Sequence, residues 1–479
     1  MYKNVKSKCA KLRFAIFFAA FGFCQIARAA DPDLTQQAGV VSKLASPNDE
    51  SPSGTSITSA NVNDFQSIVP PELLPSLQAG ELSLFAFRSV RTSAPFFDEN
   101  WKKVSAEHVE AQDGIESVVA EGFPRGFPYA PWREDLGDAN ASAVKRGQQL
   151  LWNMQAHSAP FASYAADFSF SELAAPHGIS LRGDIQRVVP KRFRAEDHTG
   201  QLFRERMRIN SPEALRGLAW LTFRFLDVPE DVVWIYSPAI KKTRQVTNSN
   251  RSDSFLGSAL SLEDVFGFSA KIQSLESANI SSGIFLAPFF SLDALPLRPE
   301  EPQCFVAALE RKERTVSSTI ASAEGDVRPV RSGLSLRDMS FVPRRLLRLE
   351  LLQRDPYSTY GRQILYVDSE LFVPFYKFVY DRAGKLSKIV ITSQTLVVAP
   401  PGQLRAWIPM TTVIENTATK SFATLTYDRT RFCEQADSTV NLTSFEPKGL
   451  TPQAEATALP PKAGGDVKLR APKPTPYSG

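Results

Sequence analysis

Two stretches constrain this chain more than the rest of it. They are residues 216–266 (RGLAWLTFRFLDVPEDVVWIYSPAIKKTRQVTNSNRSDSFLGSALSLEDVF) and 353–388 (QRDPYSTYGRQILYVDSELFVPFYKFVYDRAGKLSK). In both, aromatic and β-branched runs follow one another across short turn segments such as 227–231 (DVPED) and 381–384 (DRAG). Such runs suit pleated, paired strands, and the turn residues supply the bends. Strand followed directly by strand gives an antiparallel meander and not alternating βα units. The same reading predicts strands over 202–209, 218–226, 232–237, 345–352, 363–368, 372–380, 386–392, 404–414 and 421–427. Helical signals are few: 141–156 has apolar spacing behind Asn140, and Ser261 to Asp264 reads as a capped helix start.

The strand faces do not alternate cleanly. In 218–226, Ala219, Leu221, Phe223 and Phe225 share one face, yet Leu218, Trp220 and Leu226 sit on the other. In 372–380, Phe372, Tyr376, Phe378 and Tyr380 are backed by Val373, Phe375 and Val379. A sheet with one wet face alternates apolar and polar residues. Here both faces are covered, or one face lines an apolar cavity.

The N-terminus predicts export. Lys3, Lys6, Lys8, Lys11 and Arg13 precede the ten-residue apolar run 14–23, and Ala27 and Ala29 offer small residues for cleavage. That is a Sec-type signal peptide over 1–29, too short to span a hydrocarbon core of roughly 30 Å. Of 55 Lys+Arg, six fall in 1–29, leaving 49 against 51 Asp+Glu. The basic overall balance is thus an export feature, and no nucleic-acid partner follows from it. Of four cysteines, Cys304 and Cys433 remain after cleavage, and an oxidising compartment favours one disulfide between them. Residues 30–63 are polar and expected to be disordered. A single β domain spans 64–445, and 446–479 reads as a disordered Pro-, Ala- and Lys-rich tail.

Catalytic chemistry is thinly represented. His108, His157, His177 and His198 have no metal-ligand spacing, and there is no nucleophile elbow or phosphate loop. No cofactor, metal or catalytic residue is assigned. Glu230/Asp231 and Glu263/Asp264 read as turn and helix-start carboxylates. Arg244 and Arg251 flank a polar loop. They hold an anionic head group or, alternatively, pair with nearby acids. The aromatic set Trp220, Phe223, Phe225, Trp234, Tyr236, Phe372, Tyr376, Phe378 and Trp407 is the candidate cavity lining, with Phe285, Phe289 and Phe290 in a further strand or flap. The alternative for each is an ordinary core position.

Residues 234–246 (WIYSPAIKKTRQV), 251–258 (RSDSFLGS), 261–265 (SLEDV), 354–368 (RDPYSTYGRQILYVD) and 371–386 (LFVPFYKFVYDRAGKL) resemble a family. It is a domain-of-unknown-function family of exported Gram-negative proteins, described as outer-membrane lipoprotein-sorting-like. The resemblance covers roughly 64–430 and includes 122–128 (GFPRGFP) and Leu151-Trp152-Asn153. It implies a mainly β, lipoprotein-carrier-like fold: a strongly curved antiparallel sheet or incomplete barrel with a few covering helices, whose concavity shelters acyl chains in the Lol carriers. It also implies a periplasmic carrier or chaperone for a lipid or other hydrophobic molecule, serving an RND-type envelope transporter. A non-catalytic scaffold of an envelope complex is the alternative, and an envelope hydrolase a third reading. The chain departs from the family pattern by extra sequence over 293–338 and after Phe445.

Overall fold

The aromatic and β-branched runs form strands in a computed structural model. It describes residues 32–48, 54–90, 162–173, 178–190, 201–225, 231–246, 251–301, 304–308, 334–336, 339–369, 371–398, 405–433 and 440–451, with Gly147, Leu150, Leu151, Met154 and Gln155. Its strands are β1 (Thr55–Ile57), β2 (Leu82–Ala86), β3 (Ser163–Leu173), β4 (Ile179–Val188), β5 (Gln201–Ser211), β6 (Ala219–Phe225), β7 (Val232–Ser237), β8 (Lys242–Val246), β9 (Leu275–Phe289) and β10 (Leu295–Pro296). They continue as β11 (Arg298–Glu301), β12 (Cys304–Ala308), β13 (Leu334–Ser335), β14 (Ser340–Gln353), β15 (Arg362–Asp368), β16 (Pro374–Tyr380), β17 (Leu386–Val398), β18 (Arg405–Asn416) and β19 (Ser421–Cys433).

Thirteen of them make one antiparallel meander in the order β9-β14-β15-β16-β17-β18-β19-β3-β4-β5-β6-β7-β8. The sheet curls at one end until β9 meets β17 at a parallel bridge, Phe289 to Gln394. β19 pairs with β18 through Ser421–Thr426 and with β12 through Arg429–Cys433. The fold class is therefore the expected one: mainly β, curved, with few helices.

Both faces are covered. Gln363 to Asp368 on β15 are all buried. Ile364 and Tyr366 pack on one side with Tyr376, Phe378 and Ile391, beneath Leu44, Phe65, Ile68 and Leu73 of the N-terminal segment. Leu365 and Val367 pack on the other with Leu347, Leu349 and the helical residues Leu150 and Leu151. The described part of 141–156 is thus helical, as expected.

Three expectations are corrected. Within 30–63, residues 32–41 form α1 (Pro32–Val41), and Leu44, Ile57 and Val62 are buried. A few apolar side chains in a polar segment suffice because the sheet offers them a preformed apolar face. Ser261 to Asp264 does not open an α-helix; a single 3-10 turn, Val265–Gly267, follows it. The signal segment 1–29 and residues 452–479 lie outside the described residues, whereas Pro447–Leu450, inside the tail expected over 446–479, form a 3-10 turn with Leu450 buried.

Candidate functional site

Residues 251–274, joining β8 to β9, lie as a strap across the concave face. They have only short 3-10 turns, at Arg251 and Ser252, Phe255–Gly257, Val265–Gly267 and Ile272–Ser274, and no long element. Left-handed backbone at Leu256, Gly257, Phe266 and Gly267 makes the bends. Gly267 is needed for contact as well as for its φ of +81°: a Cβ there would stand 2.6 Å from Thr392 Oγ1 on β17. Phe255, Ala259, Leu260 and Val265 pack onto Phe168, Ile185, Met207 and Trp220 of the sheet.

Buried ions hold the strap down. Asp264 is fully buried and pairs with Lys377 Nζ at 2.5 Å and Lys388 Nζ at 2.8 Å. Its carboxylate accepts from Ser261 N and Oγ, and Tyr360 lies between Ser261 Oγ and Lys388 Nζ, 2.6 and 2.8 Å away. Burial alone would raise the Asp264 carboxyl; the ammonium groups of Lys377 and Lys388 outweigh it and hold the carboxyl well below the usual range. Burial pushes the neighbouring Glu263 carboxyl up. At the strap's other end Asp231 takes Arg224 at 2.7 Å, Lys271 at 3.7 Å and Arg251 at 3.9 Å. Here too the surrounding cations, Arg224 first, overcome burial and lower the carboxyl.

Between the strap and the sheet lies a cavity of about 110 Å³. Phe266, Phe268, Ala270 and Ile272 of the strap form one wall. Tyr164, Phe203, Phe372, Trp407 and Ile408 of the sheet and its turns form another, and Leu151 and Met154 of the helical segment approach from the side. Two guanidinium groups stand in the wall. Arg187 is held by Glu205 at 2.6 Å and lies 4.2 Å over the Phe203 ring; Arg224 is held by Asp231 and donates to Ser269 O at 3.0 Å. Both charges are answered by carboxylates, so the cavity suits a neutral apolar group.

The structure brings few of the predicted residues to this cavity. Phe372 and Trp407 line it. Trp220 is buried against Phe255, ring centroids 4.8 Å apart. Tyr376 and Phe378 pack on the opposite face under the N-terminal segment. Tyr236, with half-buried Phe223 and Trp234, packs under Phe445 and Leu450 of the C-terminal segment. Half-buried Phe225 offers its carbonyl to Lys271 Nζ. Arg244 is exposed on β8, whereas Arg251 is buried and bonded to Thr222, Leu262 O and Ser269, which is the structural alternative of the two. Cys304 and Cys433 face each other across β12 and β19 and are disulfide-bonded. Sequence reasoning missed Tyr164, Phe203, Phe266 and Phe268. The signal for the last two was their place directly after the SLEDV run, in a bend that had to cross the sheet.

The fold is thus a curved, mainly antiparallel sheet covered on both faces, with a small apolar cavity between strap and sheet. The chain belongs to DUF1329, a family of proteins of unknown function, which matches residues 56–451. It is similar to a candidate outer membrane lipoprotein-sorting protein domain from Vibrio parahaemolyticus: 16% identity, TM-score 0.42, covering 64% of this chain and 99% of that one. A DUF1329 family protein from Desulfovibrio piger gives 15%, 0.42, 65% and 100%. A LolA superfamily protein from Nitrosomonas europaea gives 13%, 0.35, 64% and 98%. No protein of curated function matches.

Proposed function

We propose that this chain is an exported, non-catalytic carrier or chaperone of the cell envelope that shelters part of a neutral hydrophobic molecule between strap and sheet. An RND-type transporter is the partner proposed to receive or supply the guest. The observation that carries this reading is the apolar space the chain leaves unfilled, walled by aromatic and aliphatic side chains. Its size narrows the guest. A dry engineered cavity of ~150 Å³ takes one benzene ring, so this one suits a ring or a short chain end and not a whole acyl chain. Burying roughly 120 Å² of apolar surface contributes ~3 kcal/mol, well short of the ~8 kcal/mol of micromolar binding. A tightly held guest must therefore make contacts beyond the cavity.

The test is a thermal-shift and Trp-fluorescence titration with toluene and naphthalene, beside native mass spectrometry of protein taken from its own envelope. Saturable stabilisation is expected in the wild type and should vanish in Ala270→Phe, which fills the cavity. Titration curves that are identical for both proteins, or no stabilisation at all, would remove the carrier reading. A second reading, a scaffold of an envelope complex, is favoured by one observation: Phe255, Ala259, Leu260 and Val265 of the strap already pack onto the sheet face beside the cavity. Under that reading Ala270→Phe leaves partner capture intact.

A further inference from the structure

The end of the sheet opposite the cavity carries its own chemistry. The cavity draws on the starts of β3, β5 and β18, the ends of β4 and β6, the later part of β17 and the β15–β16 turn. The other rim is built from the end of β3, the start of β4 and the β5–β6, β7–β8, β14–β15, β16–β17 and β18–β19 turns. Among the described residues the four exposed large apolar side chains all stand at this rim: Ile240 at 50%, Leu256 at 38%, Leu352 at 42% and Tyr357 at 81% exposure. Ile240 tips the β7–β8 hairpin, and Leu352 and Tyr357 flank the β14–β15 turn. Leu256 belongs to the strap where Ser252 bonds Thr359 of that turn and Ala259 N donates to Glu172 near the end of β3.

Cations surround the hairpin tip. Lys241, Lys242 and Arg244 are exposed, and among the described residues no carboxylate lies within 4 Å of them. Lys242 and Arg244 share one face of β8, with Ile235 and Ser237 as their cross-strand partners. The neighbouring acids are largely engaged: Glu213 with Arg216 at 3.2 Å, Glu276 with Arg354 at 3.4 Å, and Asp355 and Asp381 with backbone N–H groups of their own turns. Asp253, on the strap, is exposed.

We propose that this rim is a membrane-docking edge: the β7–β8 tip and the Leu256 and Tyr357 side chains seat against an anionic phospholipid surface, with Lys241, Lys242 and Arg244 meeting the phosphates. An apolar tip flanked by lysines combines shallow burial with attraction to anionic head groups, and the two add. Lysine stems reach the interface while their charges stay wet. Docked this way, the chain turns its cavity away from the bilayer it rests on. The inference stands on the rim alone and does not depend on a guest in the cavity.

Vesicle flotation of the purified protein tests it, with phosphatidylcholine alone and phosphatidylcholine mixed with phosphatidylglycerol. Binding to the anionic vesicles only is expected, and most of it should be lost when salt rises from about 0.1 to 0.5 M, where screening becomes short-ranged. Lys241→Glu/Lys242→Glu/Arg244→Glu should weaken it at least tenfold and Ile240→Ser several-fold. Lys43→Glu, exposed on the N-terminal segment near the start of β14 and away from this rim, should leave it unchanged. Melting temperatures near wild type show that the exposed substitutions spare the fold. Equal binding to neutral vesicles, no binding to anionic ones, or wild-type binding by the triple variant overturns the proposal. Capture of an acidic protein by the tip without any vesicle binding overturns it as well.

Discussion

Asp264 shows how much one side chain decides here. Replaced by Asn, it leaves Lys377 and Lys388 buried without a counter-charge, which should cost ~3–5 kcal/mol in a denaturant titration. Glu263→Gln should do the opposite or nothing at neutral pH, because burial already disfavours that carboxylate. The pH dependence has a sign for each. Asp264 titrates lower folded than unfolded, so its stabilisation is present above about pH 4 and is lost as pH falls toward the folded value. Glu263 titrates higher folded than unfolded, so its contribution is greatest at low pH and declines as pH rises through the folded value. Against wild type, Asp264→Asn should therefore be less stable and Glu263→Gln as stable or more so near neutral pH, and both differences should shrink as pH falls. Gly267→Ala meets both a left-handed φ and Thr392, and should lower stability by about 2 kcal/mol. At this scale the sequence was misleading for a physical reason. SLED within the strap reads as a helix start, and nothing local reveals that two lysines 113 and 124 positions from Asp264 wait on the sheet beneath it.

Strands were the legible elements. The nine predicted runs each overlap an observed strand, since their β-branched and aromatic residues face packed neighbours on both sides, but Phe372 and Val373 belong to the turn before β16 and not to the strand. β3, β4 and the first part of β9 escaped notice, only residues 285–290 having been read as a strand or flap, and the short strands β1, β2, β8 and β10 to β13 were not among the nine runs. β9 carries Ser277, Asn279, Ser281, Ser282 and Gly283, a poor strand composition, and takes its order from fourteen residues of leucine-rich β14 alongside it. β3, with Ala165, Ala166, Asp167 and Ser169, is likewise held by ladders to β19 and β4. Tertiary pairing overrides propensity in such cases. The disulfide was readable from a count of two cysteines. It ties β12 onto β19 across a separation of 129 residues. Cys304→Ser with Cys433→Ser should lower stability by ~2–4 kcal/mol, and the same loss should appear in wild type on adding reductant.

Across the whole molecule, two-sided burial was legible and its assignment was not. Nine aromatic side chains were candidates for one cavity wall, yet only Phe372 and Trp407 reach it. The others meet three different covers: the strap, the N-terminal segment and the C-terminal turns at Leu442–Phe445 and Pro447–Leu450. A strand's period tells which residues share a face but not what will lie on it.

One small contact has a large implication for handling this protein. The Gln37 side chain of α1 accepts from Ile284 N at 3.1 Å and donates to Ile284 O at 3.2 Å, so a single amide stands in for a missing strand along the outer margin of β9. Proteolytic trimming up to Leu44 would strip that guard from a margin that carries Ser281, Ser282 and Gly283 next to the apolar run from Ile284, with no charged side chain between Ser277 and Phe289, an open template for self-association. Trimmed protein should elute as dimers and larger species on size exclusion where the intact chain does not, and samples that lose their first forty-odd residues in storage should be the ones that turn cloudy.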